Sequence, residues 1–182
     1  DAVVLTTGGW GFDRTEGGLM ATHCPELLGV PTTNGAFATG EAIRIAGEAT
    51  GATLVDMDKV QLHPTAFIDP KDPLSHTKYL GPEALRGSGG ILLNQSGERF
   101  CNELDLRKVV SRRITESCEW WPGPEEGGSY RPWSWCVLDA DAQRKFGLPQ
   151  LRFYKDQVGL FEAADGVKSL AAVIGCEEEA LL

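Results

Sequence analysis

Long apolar runs are missing from this chain: the longest, such as AVVL at 2–5 and GILL at 90–93, fall far short of the roughly 20 residues that a membrane-spanning helix needs. The opening residues carry no signal-peptide pattern either. Basic residues are scarce, 17 Lys and Arg against 26 Asp and Glu, for a formal net charge of -9. With no cationic run or face, binding to a nucleic-acid backbone is excluded. An anionic small molecule is not excluded, because the potential inside a pocket follows the nearest charges rather than the total. Five cysteines, Cys24, Cys101, Cys118, Cys136 and Cys176, stand far apart with no CxxC pair. That spacing argues against zinc and against a disulfide framework, and for reduced thiols in a core. An intracellular, reducing compartment is expected, cytoplasm or organelle matrix. The three histidines, His23, His63 and His76, lack ligand spacing, so no metal site is expected. The strict dinucleotide fingerprint is also incomplete: counting from Gly9, GGWGFDR puts Arg14 where the third glycine belongs.

What is present suits a globular protein. At 182 residues and 42% apolar content, the chain can bury one core, or one core with an appended lobe. DAVVLTTGG reads as an interior strand ending in a glycine turn. Thr39 is placed to cap a helix running to about Ala49, with Ala42, Ile43, Ala46 and Ala49 as its apolar stripe and Gly51 as its terminator. TLVDMDKVQLHPTAF reads as strand, turn and strand, and DPKDPLSH as a surface loop. Pro82 and Glu83 suit the opening of a short helix that the glycines from Gly87 to Gly90 end, with Glu83 and Arg86 three apart on one face. GILLN, QSGE and RFCNE predict a β-hairpin. Asp105 predicts the cap of a helix to Ser117 with Val109, Val110 and Ile114 inward, and WSWCVLDA alternates as a half-buried strand. Asp139 and Asp141 suit the start of a further helix, and Val167 to Ile174 another. The tryptophans at 120, 121, 133 and 135, without basic neighbours, read as packing around the insertion WWPGPEEGGSYRP. Beginning on a strand and stopping in the first turn of an acidic helix, GCEEEALL, the chain reads as a piece of a longer protein. The sum is an α+β protein: sheet-like α/β sequence over residues 1–62, then a mixed α+β lobe.

Taken singly, the polar residues have ordinary explanations. Thr7 and Gly8 lie in a strand-ending turn, Thr39, Gly40 and Glu41 at a helix start, His63 in a stretch stiffened by Pro64, and Glu83 with Arg86 in an i,i+3 surface pair. Their order is more specific. TTNGAFATGEAI, QLHPTAF, GPEALRGSGGILLNQSGERFCNEL and DLRK, in that sequence, resemble the flavoprotein fumarate reductase/succinate dehydrogenase family, and within it the soluble single-chain fumarate reductases. The likeness runs from Ala2 to the final helix start and is densest between Thr33 and Ser111.

The resemblance implies that residues 1–62 are part of an FAD-binding domain and 63–182 part of a capping domain that closes over the flavin. It implies FAD contacts at Thr7, Gly8, Thr39, Gly40 and Glu41, and substrate contacts at His63, Arg107 and Glu83. It further implies a proton path in which Arg86 and Glu83 supply Arg107, the acid that completes reduction of fumarate to succinate. NADH can feed electrons to such relatives through another domain. Three residues depart from the family wording: Glu41 and Lys108 each stand where Asp is usual, and Pro82 where soluble members have a substrate-binding Thr. Alternatives are a non-catalytic interaction or dimerising lobe, and the equivalent segment of an L-aspartate oxidase, a succinate dehydrogenase or a related enoate reductase. The separate segment is expected to be inactive, its partners being fumarate or succinate, the rest of the flavoprotein chain and, as an option, a second copy of itself.

Overall fold

A computed structural model describes residues 3–120 and 132–182. Asp1, Ala2, Trp121 and the body of the insertion lie outside the described residues. The fold is α+β. In chain order it contains α1 (Leu19–His23), α2 (Glu41–Thr50), β1 (Ala66–Phe67), β2 (Tyr79–Leu80), α3 (Glu83–Gly87), β3 (Ile91–Leu93), α4 (Arg107–Ser117), β4 (Trp135–Val137), α5 (Ala140–Phe146), α6 (Leu148–Arg152) and α7 (Val167–Ile174). The described strands form two antiparallel pairs, β1 with β2 and β3 with β4.

The first sixty residues depart most from expectation. No strand forms over 3–10 or 53–62; Val3 and Val4 are 86% and 82% exposed, and Leu54 and Val55 are exposed too. A strand exists through the ladder it shares, and among the described residues none runs beside either segment. Of TLVDMDKVQLHPTAF only Ala66 and Phe67 become strand, because Tyr79 and Leu80 come back to pair with them across the DPKDPLSH loop. A parallel bridge between Thr32 and Thr77, with Thr32 N donating to His76 O and Lys78 N to Thr32 O at 2.8 Å each, ties the first part of the chain to that loop.

α2 ends at Gly51, which is left-handed as a helix-terminating glycine should be (φ 66°). Its cap is Gly40 (φ 72°), not Thr39, and no side chain caps it. Ala42, Ile43 and Ala46 are only half-buried and Ala49 is exposed, so the predicted stripe has little of this chain to rest on.

The GILLN–RFCNE hairpin shrinks to its turn and one bridge, Leu93 to Arg99. Asn94 Oδ1 accepts from Ser96 N and Glu98 N and shapes that turn. Beyond Arg99 the chain swings inward, and the Leu92 amide bonds to Glu103 Oε1 at 2.8 Å. The ladder partner of β3 is instead β4, in the register Ile91–Val137, Leu92–Cys136, Leu93–Trp135. α4 reaches Ser117 as read, but starts after Leu106; Asp105 Oδ1 accepts only from Leu106 N, so Arg107 becomes the first helical residue.

Leu92, Val110, Ile114 and Cys118 form the core where α4 crosses the β3–β4 pair, with Phe100, Cys101 and Cys136 packed against them. Full burial of Leu92 or Val110 is worth about 1.5–3 kcal/mol each, enough to fix α4 on the pair. Val109 is half-buried. α5 begins where expected, and the structure makes Asp139 its cap, Oδ1 accepting from Ala142 N at 2.7 Å. The expected α7 spans Val167–Ile174. Of the tryptophans read as packing, Trp133 and Trp135 pack edge to face at 5.4 Å, whereas Trp120 is exposed. A second aromatic group, Phe67 with Tyr154 and Phe161 at 5.2 and 5.4 Å, anchors β1 to the segment after α6.

Candidate active site

α3 and α4 each begin at the same place in space. Pro82 is extended (φ -60°, ψ 144°) and enters α3 at Glu83; Leu106 enters α4 at Arg107. Arg107 donates to Glu83 Oε2 from Nη2 at 2.6 Å and from Nε at 3.2 Å, and its Nη1 donates to Gln61 Oε1 at 2.8 Å. Residues 61, 83 and 107 thus meet through one guanidinium. The i,i+3 pair read from sequence is replaced: Glu83 turns to Arg107, while Arg86 turns inward. At 3% exposure, Arg86 donates from Nη1 to Glu103 O at 2.6 Å, and its Nε and Nη2 are buried without an acceptor.

His63 joins this group. Its Nδ1 lies 2.8 Å from Thr65 O, the contact of a protonated Nδ1, which makes Nε2 the lone-pair nitrogen. Burial of the ring, above all, together with the Arg107 and Arg86 charges, holds His63 below its ordinary value against the opposing pull of Thr65 and Glu83. Hydrogen bonds from Arg107 and then its charge hold the Glu83 carboxyl below the usual carboxylate range, helped by Arg86 and His63. One imidazole, one carboxylate and two guanidiniums therefore act on one another, although they come from three segments. Such a set can bind a carboxylate and move a proton. Gln61 was not singled out from sequence; its signal was its place two residues before His63 in the same motif.

Of the residues read as cofactor contacts, Thr39, Gly40 and Glu41 stand at the start of α2, and the segment that follows Thr7 and Gly8 reaches them. Thr7 and Gly8 lie exposed, outside any helix or strand, with Gly8 left-handed (φ 82°). Phe12 N donates to Ala38 O at 3.0 Å, which lays this turn beside the start of α2. A Cβ added at Gly40 would stand 2.4 Å from Leu19 Cδ1 and 2.7 Å from Trp10 Cβ, so only glycine lets the two turns approach. Glu41 opens the helix and is exposed. Two backbone turns and a helix start side by side form a donor set that fits a phosphate-bearing flavin nucleotide. Asp13 braces them: its carboxylate accepts from Leu19 N at 2.7 Å, from Thr15 Oγ1 at 2.9 Å and from Arg44 of α2.

Among the described residues no group of histidine, cysteine and acidic side chains could hold a metal, and no helix is long and apolar enough to cross a membrane. Comparison with known proteins gives a consistent picture. A family model described as FAD binding domain matches residues 1–168. The chain is 49% identical over 109 residues to a fumarate reductase of Schizosaccharomyces pombe, covering 60% of this chain and 21% of the relative. It is 48% identical over 117 residues to fumarate reductase 1 of Saccharomyces cerevisiae, covering 64% of this chain and 24% of that one. A solved structure, the open conformation of a flavocytochrome c3 fumarate reductase, aligns with a TM-score of 0.64 at 29% identity, over 99% of this chain and 27% of the other. The chain thus spans about a quarter of the length of each of these three proteins.

Proposed function

Because the chain belongs to the FAD binding domain family, whose cofactor is FAD, we propose that it is part of a flavin-dependent fumarate reductase that converts fumarate to succinate. The observation that carries this reading is the Arg107 guanidinium, held by Glu83 and Gln61 beside His63 and Arg86. Thr7, Gly8, Thr39, Gly40 and Glu41 would hold FAD, which when bound and reduced supplies a hydride to one alkene carbon of fumarate. His63 and Arg107 bind a substrate carboxylate, and Glu83 takes part in substrate binding by holding the Arg107 guanidinium. Arg107 gives its proton to the other alkene carbon, and Glu83 with Arg86 returns one. A guanidinium ordinarily keeps its proton, so this donation needs nearby cations and exclusion of water, which lower its proton affinity. Arg86 supplies a nearby cation, and a capping domain formed by residues 63–182 against an FAD domain to which 1–62 belong supplies the exclusion.

Activity belongs in this proposal to the longer flavoprotein, with the 182-residue segment inactive by itself, and with NADH as electron source through another part of the protein. The five free thiols, of which burial pushes Cys118 and Cys136 up to about 12, fit a reducing compartment inside the cell. The test is Arg107→Ala in the intact flavoprotein, assayed by fumarate-dependent oxidation of a reduced dye. Loss of a general acid is expected to slow turnover by about 10²–10⁴-fold with bound FAD unchanged. Turnover within a few-fold of the parent would remove Arg107 from the acid role.

A further inference from the structure

Arg86 presents a problem that its own element does not solve. Its guanidinium is almost fully buried, yet one hydrogen bond, Nη1 to Glu103 O at 2.6 Å, is the partner found for it, while Nε and Nη2 have none. Buried charges are ordinarily paired, and an orphaned buried donor costs as much as a lost hydrogen bond. The carboxylate that could neutralise it is close at hand but engaged elsewhere. Glu103 Oε1 accepts from Leu92 N at 2.8 Å and from Arg99 Nε at 3.0 Å, and Oε2 accepts from Arg99 Nε at 3.2 Å and Nη2 at 2.6 Å. Its side chain is 4% exposed, against 56% for Arg99. Burial would raise the carboxyl, but the Arg99 and Leu92 hydrogen bonds outweigh it and keep Glu103 ionised.

We propose that Glu103 is the positioning residue for Arg86. Its carboxylate, locked between Arg99 and the Leu92 amide, fixes the peptide whose carbonyl grips Arg86 Nη1, and so aims the remaining guanidinium donors at the His63–Glu83–Arg107 group. The division of labour is physical. A carboxylate facing Arg86 directly would pair with it bidentately and take up the donors that a proton relay needs. A carbonyl holds one nitrogen, carries no net charge and leaves the cation's field acting on its neighbours. Through Leu92 the anchor is joined to the core of the β3–β4 pair, and through Arg99 to the turn that the hairpin motif supplies. The same two contacts explain why the RFCNE arm leaves the ladder.

The assignment rests on Arg86 acting in proton delivery, and the experiment separates the two. In the intact flavoprotein, Glu103→Gln keeps an acceptor for Leu92 N but loses the Arg99 clamp. It should lower kcat per bound flavin by about 10- to 100-fold, as small misplacements of reacting groups do, leave KM for fumarate within about twofold, and enlarge the solvent deuterium isotope effect on kcat. Glu103→Asp should recover part of the loss. A residue that only stabilised the fold would change the flavin content or the unfolding temperature, but not the isotope effect per flavin. Should Glu103→Gln not accumulate as folded holoenzyme, Arg99→Gln removes the same clamp from its solvent side and is read in the same way. Arg86→Gln completes the set. If it leaves kcat and the isotope effect unchanged, the relay reading falls and the Glu103 assignment with it. If it slows turnover while the Glu103 and Arg99 variants match the parent, the Glu103 assignment alone is overturned.

Discussion

Gly40→Ala is a sharp test of how the two turns beside α2 meet, because Gly51 at the other end of the same helix is its natural control. Both glycines are left-handed, Gly40 at φ 72°, ψ 21° and Gly51 at φ 66°, ψ 25°. An alanine pays the same backbone penalty at either site, about 1–2 kcal/mol. Stiffening of the unfolded chain offsets about 0.4–1 kcal/mol of that. What differs is space. A Cβ at Gly51 meets nothing within 4 Å, whereas one at Gly40 meets Leu19 Cδ1 at 2.4 Å and Trp10 Cβ at 2.7 Å. The leucine methyl can rotate away; the Trp10 Cβ sits on the backbone and moves only with it. Overpacking of this kind costs about 1–3 kcal/mol, so Gly40→Ala should be less stable than Gly51→Ala by that amount. Urea unfolding of the 182-residue chain, followed by circular dichroism, reads the gap as a midpoint roughly 1 M lower at an unchanged slope. In the intact flavoprotein the same substitution should reduce bound FAD while Gly51→Ala does not. Equal stability of the two variants would mean that Trp10 and Leu19 do not close on Gly40, and the cofactor-side geometry would fall with that contact.

Two further outcomes follow from the charges and thiols. Because the folded value of His63 is depressed, its neutral form is favoured by the fold; the stability it contributes is present above its unfolded value, about 6.5, and is lost as pH falls through the lower folded value. NMR titration should put the His63 midpoint below about 6.5 and move it upward in Arg107→Ala, with Glu83 rising in the same variant; an unmoved pair would show that Arg107 does not reach them. With N-ethylmaleimide at pH 8, Cys118 and Cys136, both pushed up to about 12, and Cys24, which has no exposed surface, should label more slowly than the half-buried Cys176 by peptide mass mapping; rapid labelling of Cys118 or Cys136 in the native state would contradict the raised values.

Local chemistry was legible in the sequence and long-range pairing was not. The helix start at Asp139, Gly51 as a stop, the Val167–Ile174 helix and the Pro82–Glu83 helix start each depend on a few adjacent residues, and each stands as read. Strands are different, since a β-branched run states only that a segment would fit a sheet. Whether AVVL finds a neighbour is decided elsewhere, and β3 chose β4, some forty positions on, over the nearby arm of its own turn. Among site residues, motif order identified Glu83, Arg107 and His63, which the fold brings together. The resemblance linked Glu83 to Arg107, but the i,i+3 spacing alone pointed Glu83 to Arg86, because spacing along one helix says nothing of a guanidinium 24 residues on. Gln61 and Glu103 lie inside the recognised motifs, yet their parts emerge only from contacts made across the fold.

A net charge of -9 and a cluster of cations are compatible because the potential at the site follows its nearest charges, while exposed charges more than a Debye length away, about 8–10 Å at ordinary ionic strength, are largely screened. Exposure is the harder matter. In this structure the side chains of Glu83 and Arg107 are 56% and 38% exposed, and an ion pair so placed is worth little because water screens both partners. The same geometry in a water-excluded pocket acts through a much lower effective dielectric, where each charge weighs several times more on its neighbours. The pair is therefore correctly aimed but weakly coupled until something covers it. Arg86 is the member of the group already dry, and it is held by a carbonyl that cannot titrate. Covering Glu83 and Arg107 would extend to them the environment that Arg86 already has, raising the cost of keeping two cations side by side and so easing release of a proton from Arg107. On this reasoning His63 serves as a reporter of closure: its titration midpoint should fall further below its ordinary value in the intact flavoprotein than in the 182-residue chain, since both desolvation and the two guanidinium charges push it in that direction. A midpoint that is the same in both would mean that the site gains no protection from the rest of the protein, and the electrostatic case for Arg107 as an acid would fail.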